Sequence, residues 1–215
     1  QLARALDYAH KKGIVHRDVK PGNIMLVENS NMIKVADFGI CRIDGNDAND
    51  ATQQTQLGNV LGTPHYMSPE QVLGEKVDSR SDLFSAGVVL YQLLTTHLPF
   101  SGETLISVAY KITKTDPPPL DQVRPDLPLS LRRVVERALK KQPEKRFQTG
   151  EDMALALVAV AREVAEDGQK PASRGLPLPV RWTPAMAALG AVTTAVADTV
   201  LHNRDYAARV CHAKE

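Results

Sequence analysis

Two short polar segments at the ends of a predicted β-hairpin constrain this chain more than any other feature. The first is His-Arg-Asp-Val-Lys-Pro-Gly-Asn at 16–23, and the second is Asp-Phe-Gly at 37–39. Between them, apolar runs at 24–27 and 33–36 enclose the polar stretch Glu-Asn-Ser-Asn at 28–31, a pattern typical of two short strands and a turn. The sequence therefore predicts a hairpin that carries polar residues at both of its ends.

The composition is that of a soluble globular chain. The 215 residues are 43% hydrophobic and 24% charged, which favours one domain with an appendage. A formal net charge of +1 provides no large electrostatic field, so no nucleic acid is expected as a partner. Two cysteines, Cys41 and Cys211, are too few for a disulfide framework and favour a reducing, cytoplasmic setting. Zinc is not expected, because a structural zinc site needs four ligands.

Helical patterns occupy most of the remaining sequence. Apolar residues at helical spacing predict a first helix that brings the chain to Gly13. A helix capped by Ser79 or Ser81 is apolar on several faces as far as Leu94, and we expect it to be the buried core helix. Two further helices are predicted after a proline-rich break, over 131–140 and 150–166. The pattern alone predicts a mixed fold that is mainly α.

The composition changes after Glu166. We expect residues 1–166 to form the globular domain and 167–181, which are rich in Gly and Pro, to form a linker. In the tail, 182–215, an apolar stretch is close to membrane-spanning length but is interrupted by Asp198. A transmembrane helix, which would anchor the protein to the inner membrane, and an amphipathic soluble helix both remain open for this tail.

The two polar segments resemble the catalytic loop and the metal-binding motif of protein kinases. The segment Gly-Thr-Pro-His-Tyr-Met-Ser-Pro-Glu at 62–70 is similar to the end of an activation segment in bacterial, eukaryotic-like serine/threonine kinases. The resemblance covers 1–166 and implies an α+β, mainly α fold: the C-terminal lobe of a kinase catalytic domain, a helical bundle with a small hairpin that bears the site. It implies transfer of the γ-phosphoryl group of ATP to Ser or Thr hydroxyls of protein substrates.

The resemblance assigns a chemical role to four residues. Asp18 is expected to orient the substrate hydroxyl and accept its proton, and Lys20 to place its ammonium group against the transferring phosphoryl group. Asn23 and Asp37 are the implied ligands of Mg²⁺ or Mn²⁺ bound with ATP, because hard cations prefer oxygen. Lys20 is also typical of the serine/threonine class.

Three further residues are implied to be structural. Glu70 is expected to be a buried carboxylate paired with Arg146. Asp82 resembles a buried aspartate that accepts backbone N–H groups of the catalytic loop. His16 is interpreted as a packed, hydrogen-bonded support of that loop rather than as a catalytic residue.

Arg17 and three threonines are the regulatory candidates. Arg17 resembles the arginine that pairs with a phosphorylated residue of the activation segment in some kinases. Thr52 and Thr55, within the long polar loop at 41–62, are the candidate phosphate acceptors, and plain solvation is the alternative for both. Thr63 is expected to contact the catalytic Asp and Lys directly.

Two hypotheses about activity remain open. The 215 residues contain no Gly-x-Gly-x-x-Gly loop and no strand with an ATP-contacting lysine, so the chain is expected to be a fragment of an enzyme without its N-terminal lobe. The intact catalytic and metal-binding positions favour this hypothesis. The alternative is a pseudokinase-like scaffold that binds partners without catalysis. A dimer of kinase domains also remains open.

Overall fold

The computed structural model describes residues 1–28, 30–38 and 64–167. This part of the chain is mainly helical and contains one two-stranded antiparallel sheet. Three short 3-10 turns connect the longer elements, at Pro21–Asn23, Pro64–Tyr66 and Pro143–Lys145. In chain order the elements are α1 (Leu2–His10), β1 (Ile24–Leu26), β2 (Ile33–Val35), α2 (Pro69–Leu73), α3 (Ser79–Thr95), α4 (Leu105–Lys114), α5 (Leu120–Val123), α6 (Leu129–Ala138) and α7 (Gly150–Asp167).

Helix α3 forms the centre of the core, as its apolar faces predict. Leu83, Phe84 and Val88 are fully buried, and both α1 and α6 pack against this helix. A helix enclosed in this way has no polar face to expose, which explains why its sequence shows no single apolar stripe. The buried helix therefore provides a fixed base for the loops that it supports.

The predicted cap of α3 is wrong. Asp78, rather than Ser79 or Ser81, is the N-cap, and its carboxylate accepts the Arg80 N–H at 2.9 Å. Ser81 lies inside the first turn and is fully buried, and its hydroxyl donates a hydrogen bond to Glu70. Asp78 thus caps the helix and Ser81 is buried in its first turn, and the sequence pattern does not distinguish these two roles.

The hairpin is confirmed. Strands β1 and β2 pair antiparallel, with Ile24 opposite Val35 and Leu26 opposite Ile33. Beyond the strands, the Ala36 N–H donates to the Asn23 carbonyl oxygen at 2.9 Å, so the pairing continues to the end of the polar loop. The hairpin therefore holds the residues just before β1 against the residues just after β2.

The other predicted helices are confirmed with small shifts. The first helix, α1, ends at His10, and a turn then leads to Gly13, whose φ of 74° favours glycine. Helix α6 begins two residues earlier than predicted, directly after Pro128, and α7 begins at Gly150 as predicted. The latter helix extends to Asp167, the first residue of the predicted linker.

Helix α4 is an element that the sequence analysis does not predict. It begins with a capping box, in which the hydroxyl of Thr104 accepts the Ser107 N–H and the hydroxyl of Ser107 accepts the Thr104 N–H. Val108 and Ile112, four residues apart, face the core and are buried. The spacing of these two residues is the signal that could have revealed the helix.

Several predictions lie outside the described residues. They concern the activation-segment loop at 41–62, nearly all of the linker and the whole tail, 182–215. Among the described residues, no helix combines the length and the apolar character that a membrane span needs.

Candidate active site

A buried carboxylate on α3 fixes the start of the polar loop at 16–23. Asp82 is only 1% exposed, and its two oxygens accept the backbone N–H groups of His16 and Arg17, each at 2.8 Å. His10, at the end of α1, places its Nε2 atom 2.7 Å from Asp82 Oδ2. Burying a carboxylate without partners would be costly, so these three contacts account for its position. The loop is thereby attached to the core helix, as the resemblance implies for Asp82.

His16 connects this loop to the far strand of the hairpin. Its side chain is fully buried, and its Nε2 atom lies 3.0 Å from the carbonyl oxygen of Ala36. The ring also contacts the ring of Phe38, with 4.6 Å between centroids. His16 therefore acts in packing and hydrogen bonding, and it holds the residues on both sides of Asp37 against the loop.

The three polar side chains of the loop converge on one carboxylate oxygen. Lys20 Nζ lies 2.7 Å from Asp18 Oδ2, and Asn23 Nδ2 donates to the same oxygen at 3.0 Å. Asn23 Nδ2 also donates to the Asp18 carbonyl oxygen at 2.8 Å, which ties both ends of the loop together. Among the described residues, both side-chain donors reach the same oxygen, Oδ2, of this carboxylate.

The surroundings of Asp18 suit the acceptance of a proton from a reactant. Its side chain is 48% exposed, whereas Asn23 is buried beneath it. The ammonium group of Lys20 and the amide of Asn23 hold the carboxylate in one orientation while leaving it accessible. The arrangement can therefore present a carboxylate and a cation to the same bound molecule.

Two of the site residues adopt backbone conformations that are rare outside glycine. Arg17 has a φ of 66° and Asp37 has a φ of 50°. Such conformations cost about 1–3 kcal/mol each and persist where neighbouring contacts hold them, commonly at functional sites. At Arg17 one such contact is the bond from its N–H to Asp82.

Asn23 and Asp37 fit the magnesium site that the resemblance implies. Because Asn23 Nδ2 bonds to Asp18, the amide oxygen is the end of this side chain that can bind a cation. Asp37 follows β2 with its side chain exposed, next to Ala36, which bonds to the Asn23 backbone. Mg²⁺ commonly binds one or two protein oxygens, while phosphates and waters complete its coordination shell. No cluster of three or more His, Cys, Asp or Glu suited to a metal ion occurs within 1–28, 30–38 and 64–167.

The structure contains the ion pair expected between Glu70 and Arg146. The guanidinium group makes two bonds to the carboxylate, at 2.7 and 2.8 Å, and the residues are 1% and 4% exposed for Arg146 and Glu70 respectively. Burial by itself raises the pKa of Glu70, but the hydrogen bonds from Arg146 and Ser81 outweigh it, so the pKa lies below its usual value. The pair links α2 to the segment after α6 and takes no part in the site itself.

Two positioning contacts were not predicted from the sequence. One is the bond from His10 to Asp82, for which the local sequence gives no signal. The other is the bond from Gln71 Nε2 to the Arg17 carbonyl oxygen. Gln71 is at the third position of α2, where its side chain also completes a capping box with Ser68. The pattern Ser-x-x-Gln at 68–71 is the signal that could have indicated this box. The remaining predicted residues, Thr52, Thr55 and Thr63, lie outside the described part of the chain.

Comparison with known proteins shows the family to which the chain belongs. A family model described as protein kinase domain matches residues 1–156. The serine/threonine-protein kinase PknB of Mycobacterium leprae is 46% identical over 157 residues, which are 73% of this chain and 24% of that protein. The protein of the same name from Mycolicibacterium smegmatis is 44% identical over 167 residues, 78% of this chain and 26% of that protein.

A relative from another genus matches more of the chain. The probable serine/threonine-protein kinase SCO3848 of Streptomyces coelicolor is 40% identical over 190 residues, which are 88% of this chain and 26% of that protein. The chain thus spans about a quarter of the length of these curated relatives.

Proposed function

Because this chain belongs to the protein kinase domain family, we propose that its protein transfers the γ-phosphoryl group of ATP to Ser or Thr hydroxyls of other proteins. The observation that carries the proposal is the convergence of Lys20 and Asn23 on one oxygen of the Asp18 carboxylate, at 2.7 and 3.0 Å. This arrangement leaves the other oxygen to receive a proton from a hydroxyl.

The proposal assigns the described residues to the larger, C-terminal lobe of a kinase catalytic domain. The buried helix α3, the hairpin and the loop attached to Asp82 support this assignment. The glycine-rich loop and the lysine that clamp ATP in protein kinases are assigned to residues that are not among these 215.

In the proposed reaction, Asp18 Oδ1 accepts the proton of the substrate hydroxyl while the hydroxyl oxygen forms a bond to the γ-phosphorus. The bond between the γ-phosphorus and the bridging oxygen of ADP breaks in the same displacement, so ADP leaves with the bonding electrons. Lys20 Nζ, which lies beside Asp18 Oδ2, stabilises negative charge on the phosphoryl oxygens. The protein thus contributes a proton acceptor and a fixed cation.

Asn23 and Asp37 would hold the metal ions of the nucleotide complex. When bound, Mg²⁺ neutralises charge on the phosphates of ATP. The Asn23 amide is kept in place by its two hydrogen bonds to Asp18, so the same loop orients the proton acceptor and one metal ligand. His16 holds the neighbours of Asp37 in place, through a hydrogen bond with Ala36 and a ring contact with Phe38.

The test is phosphoryl transfer from labelled ATP to a general protein substrate by the full-length gene product. We expect Asp18→Asn to lower kcat by about 10³-fold or more, because the amide cannot accept the proton. Asp121→Asn makes the same chemical change at an exposed position of α5 and should leave the rate unchanged. Equal rates for Asp18→Asn and the unmodified protein would refute the assignment. An unmodified protein that binds ATP without transferring phosphate would favour the scaffold hypothesis.

A further inference from the structure

The peptide unit that joins Arg17 to Asp18 is held by a side chain from outside the His-Arg-Asp segment. Gln71 Nε2 donates a hydrogen bond to the Arg17 carbonyl oxygen at 2.7 Å. At the other end of the same peptide, the Asp18 N–H faces His16 Nδ1 at 3.3 Å. A rotation of this peptide would therefore break a contact at each end.

Helix α2 fixes the position of Gln71. Its Oε1 atom accepts the Ser68 N–H at 2.9 Å, and the Ser68 hydroxyl accepts the Gln71 N–H at 3.4 Å, so the two residues form a capping box. Because Oε1 is occupied by Ser68, the amide has one orientation that satisfies both ends, with Nε2 towards Arg17. The side chain is thus a bridge of defined geometry between α2 and the catalytic loop.

The bridge acts on a backbone conformation that needs support. Arg17 has a φ of 66°, which a residue with a side chain keeps only where its surroundings hold it. Asp82 on α3 accepts its N–H at 2.8 Å, and Gln71 on α2 donates to its carbonyl oxygen. The two backbone polar groups of Arg17 are therefore bound by side chains of two different helices.

We propose that Gln71 is a positioning residue for phosphoryl transfer, because its amide sets the orientation of the Arg17–Asp18 peptide and so directs the Asp18 carboxylate. This inference rests on the proposed function, in which Asp18 accepts the proton. Gln71 bonds to the backbone of the loop and to Ser68, so its loss affects the alignment of Asp18 rather than the binding of ATP. The expected signature is a lower kcat with an unchanged KM for ATP.

Two substitutions separate the tasks of this side chain. In Gln71→Glu, an oxygen remains to accept the Ser68 N–H, so the capping box is kept. At neutral pH the carboxylate has no hydrogen to donate, and it places an acceptor against the Arg17 carbonyl oxygen. Ser68→Ala is the matched control, because it removes the hydroxyl from the box and leaves both side-chain bonds of Gln71 in place.

The experiment uses the full-length gene product and both variants. We expect Gln71→Glu to lower kcat about 10- to 100-fold, with the KM for ATP within about twofold and an unfolding temperature close to that of the unmodified protein. Ser68→Ala should lower the unfolding temperature and keep kcat within about twofold. An unchanged kcat in Gln71→Glu would overturn the positioning role, and so would an equal loss of kcat in Ser68→Ala.

A second measurement separates this inference from the proposed function. Hydrogen–deuterium exchange of residues 14–20 should be faster in Gln71→Glu than in the unmodified protein, and unchanged in Ser68→Ala. If the unmodified protein and Asp18→Asn are equally inactive, the proposed function fails, and exchange still decides the role of Gln71. Unchanged exchange in Gln71→Glu would contradict its role in holding the loop.

Discussion

The Asp18 carboxylate works with two neighbours of different chemistry. Lys20 contributes a full positive charge at 2.7 Å, and Asn23 contributes a neutral amide donor at 3.0 Å from a buried position. The amide fixes the carboxylate, whereas the ammonium group also reaches the exposed side of the site. In the proposed reaction both side chains orient the carboxylate, whereas only Lys20 contributes a charge.

A substitution of Lys20 tests how much its positive charge contributes to the proposed phosphoryl transfer. We expect Lys20→Met to lower kcat about 10²- to 10³-fold, because in the proposed reaction the Lys20 ammonium group stabilises negative charge on the phosphoryl oxygens. Lys114→Met makes the same change at an exposed position near the end of α4 and should leave kcat unaltered. Steady-state phosphoryl transfer by the full-length protein gives the comparison, and a normal kcat for Lys20→Met would show that the cation is dispensable.

Between elements, the end of α4 is bound by a lysine from the segment after α6. Lys141 Nζ donates to the carbonyl oxygens of Ile112 at 2.7 Å and Lys111 at 3.2 Å, and lies 3.8 Å from the centroid of the Phe100 ring. Burial lowers the pKa of Lys141 to about 8, with Asp116 opposing this shift and Arg146 adding to it. The Lys141 ammonium group thus joins the end of α4 to the segment after α6, and its burial costs it part of its hydration.

The lowered pKa of Lys141 predicts how stability depends on pH. Between pH 8 and 10.5 the unfolded chain holds the lysine proton that the folded protein has lost, so the free energy of unfolding should rise with pH across this window. Lys141→Met removes the titrating group and should flatten this part of the curve. Urea unfolding at several pH values measures both slopes, and identical slopes would show that the folded lysine titrates normally.

Local sequence patterns predict a helix, strand or loop when the residues that determine it are close together in the sequence. The hairpin, α1, α3, α6 and α7 follow from apolar spacing and turn residues, and the cluster of Asp18, Lys20 and Asn23 lies within one loop. The bonds from His10 to Asp82 and from Gln71 to Arg17 join residues 72 and 54 positions apart. Such contacts depend on tertiary packing, so no spacing in the sequence indicates them.

Across the whole molecule, one buried ion pair joins distant parts of the chain beneath α3. Arg146 binds both oxygens of Glu70, 76 positions away, and also donates to the carbonyl oxygens of Lys140 and Lys141. The pair therefore holds α2, whose Gln71 bonds to the loop at 16–23, against the segment after α6. The same ion pair thus supports the helix whose Gln71 bonds to the Arg17 backbone.

Breaking this pair should be costly. Arg146→Met leaves an unpaired buried carboxylate and should lower the free energy of unfolding by about 3–5 kcal/mol, whereas a Glu70→Met/Arg146→Met double variant should recover much of the loss. Since the folded pKa of Glu70 is lowered, the contribution of the pair is present above pH 4.5 and declines as pH falls through the folded pKa. Urea unfolding should show the difference between the unmodified protein and Arg146→Met narrowing in acid. A constant difference would show that the ion pair does not lower the pKa of Glu70.

We propose that Asn23 and Asp37 meet at one metal–nucleotide site beside Asp18. The most direct measurement is a crystal structure of the full-length protein with Mn²⁺ and a non-hydrolysable ATP analogue, using the anomalous signal of the metal. We predict metal positions within about 2–2.5 Å of the Asn23 amide oxygen and an Asp37 carboxylate oxygen, with the γ-phosphate next to Asp18. A structure in which the Asp18 and Asp37 carboxylates face different sides of the protein, with the metal bound elsewhere, would rule out this shared site.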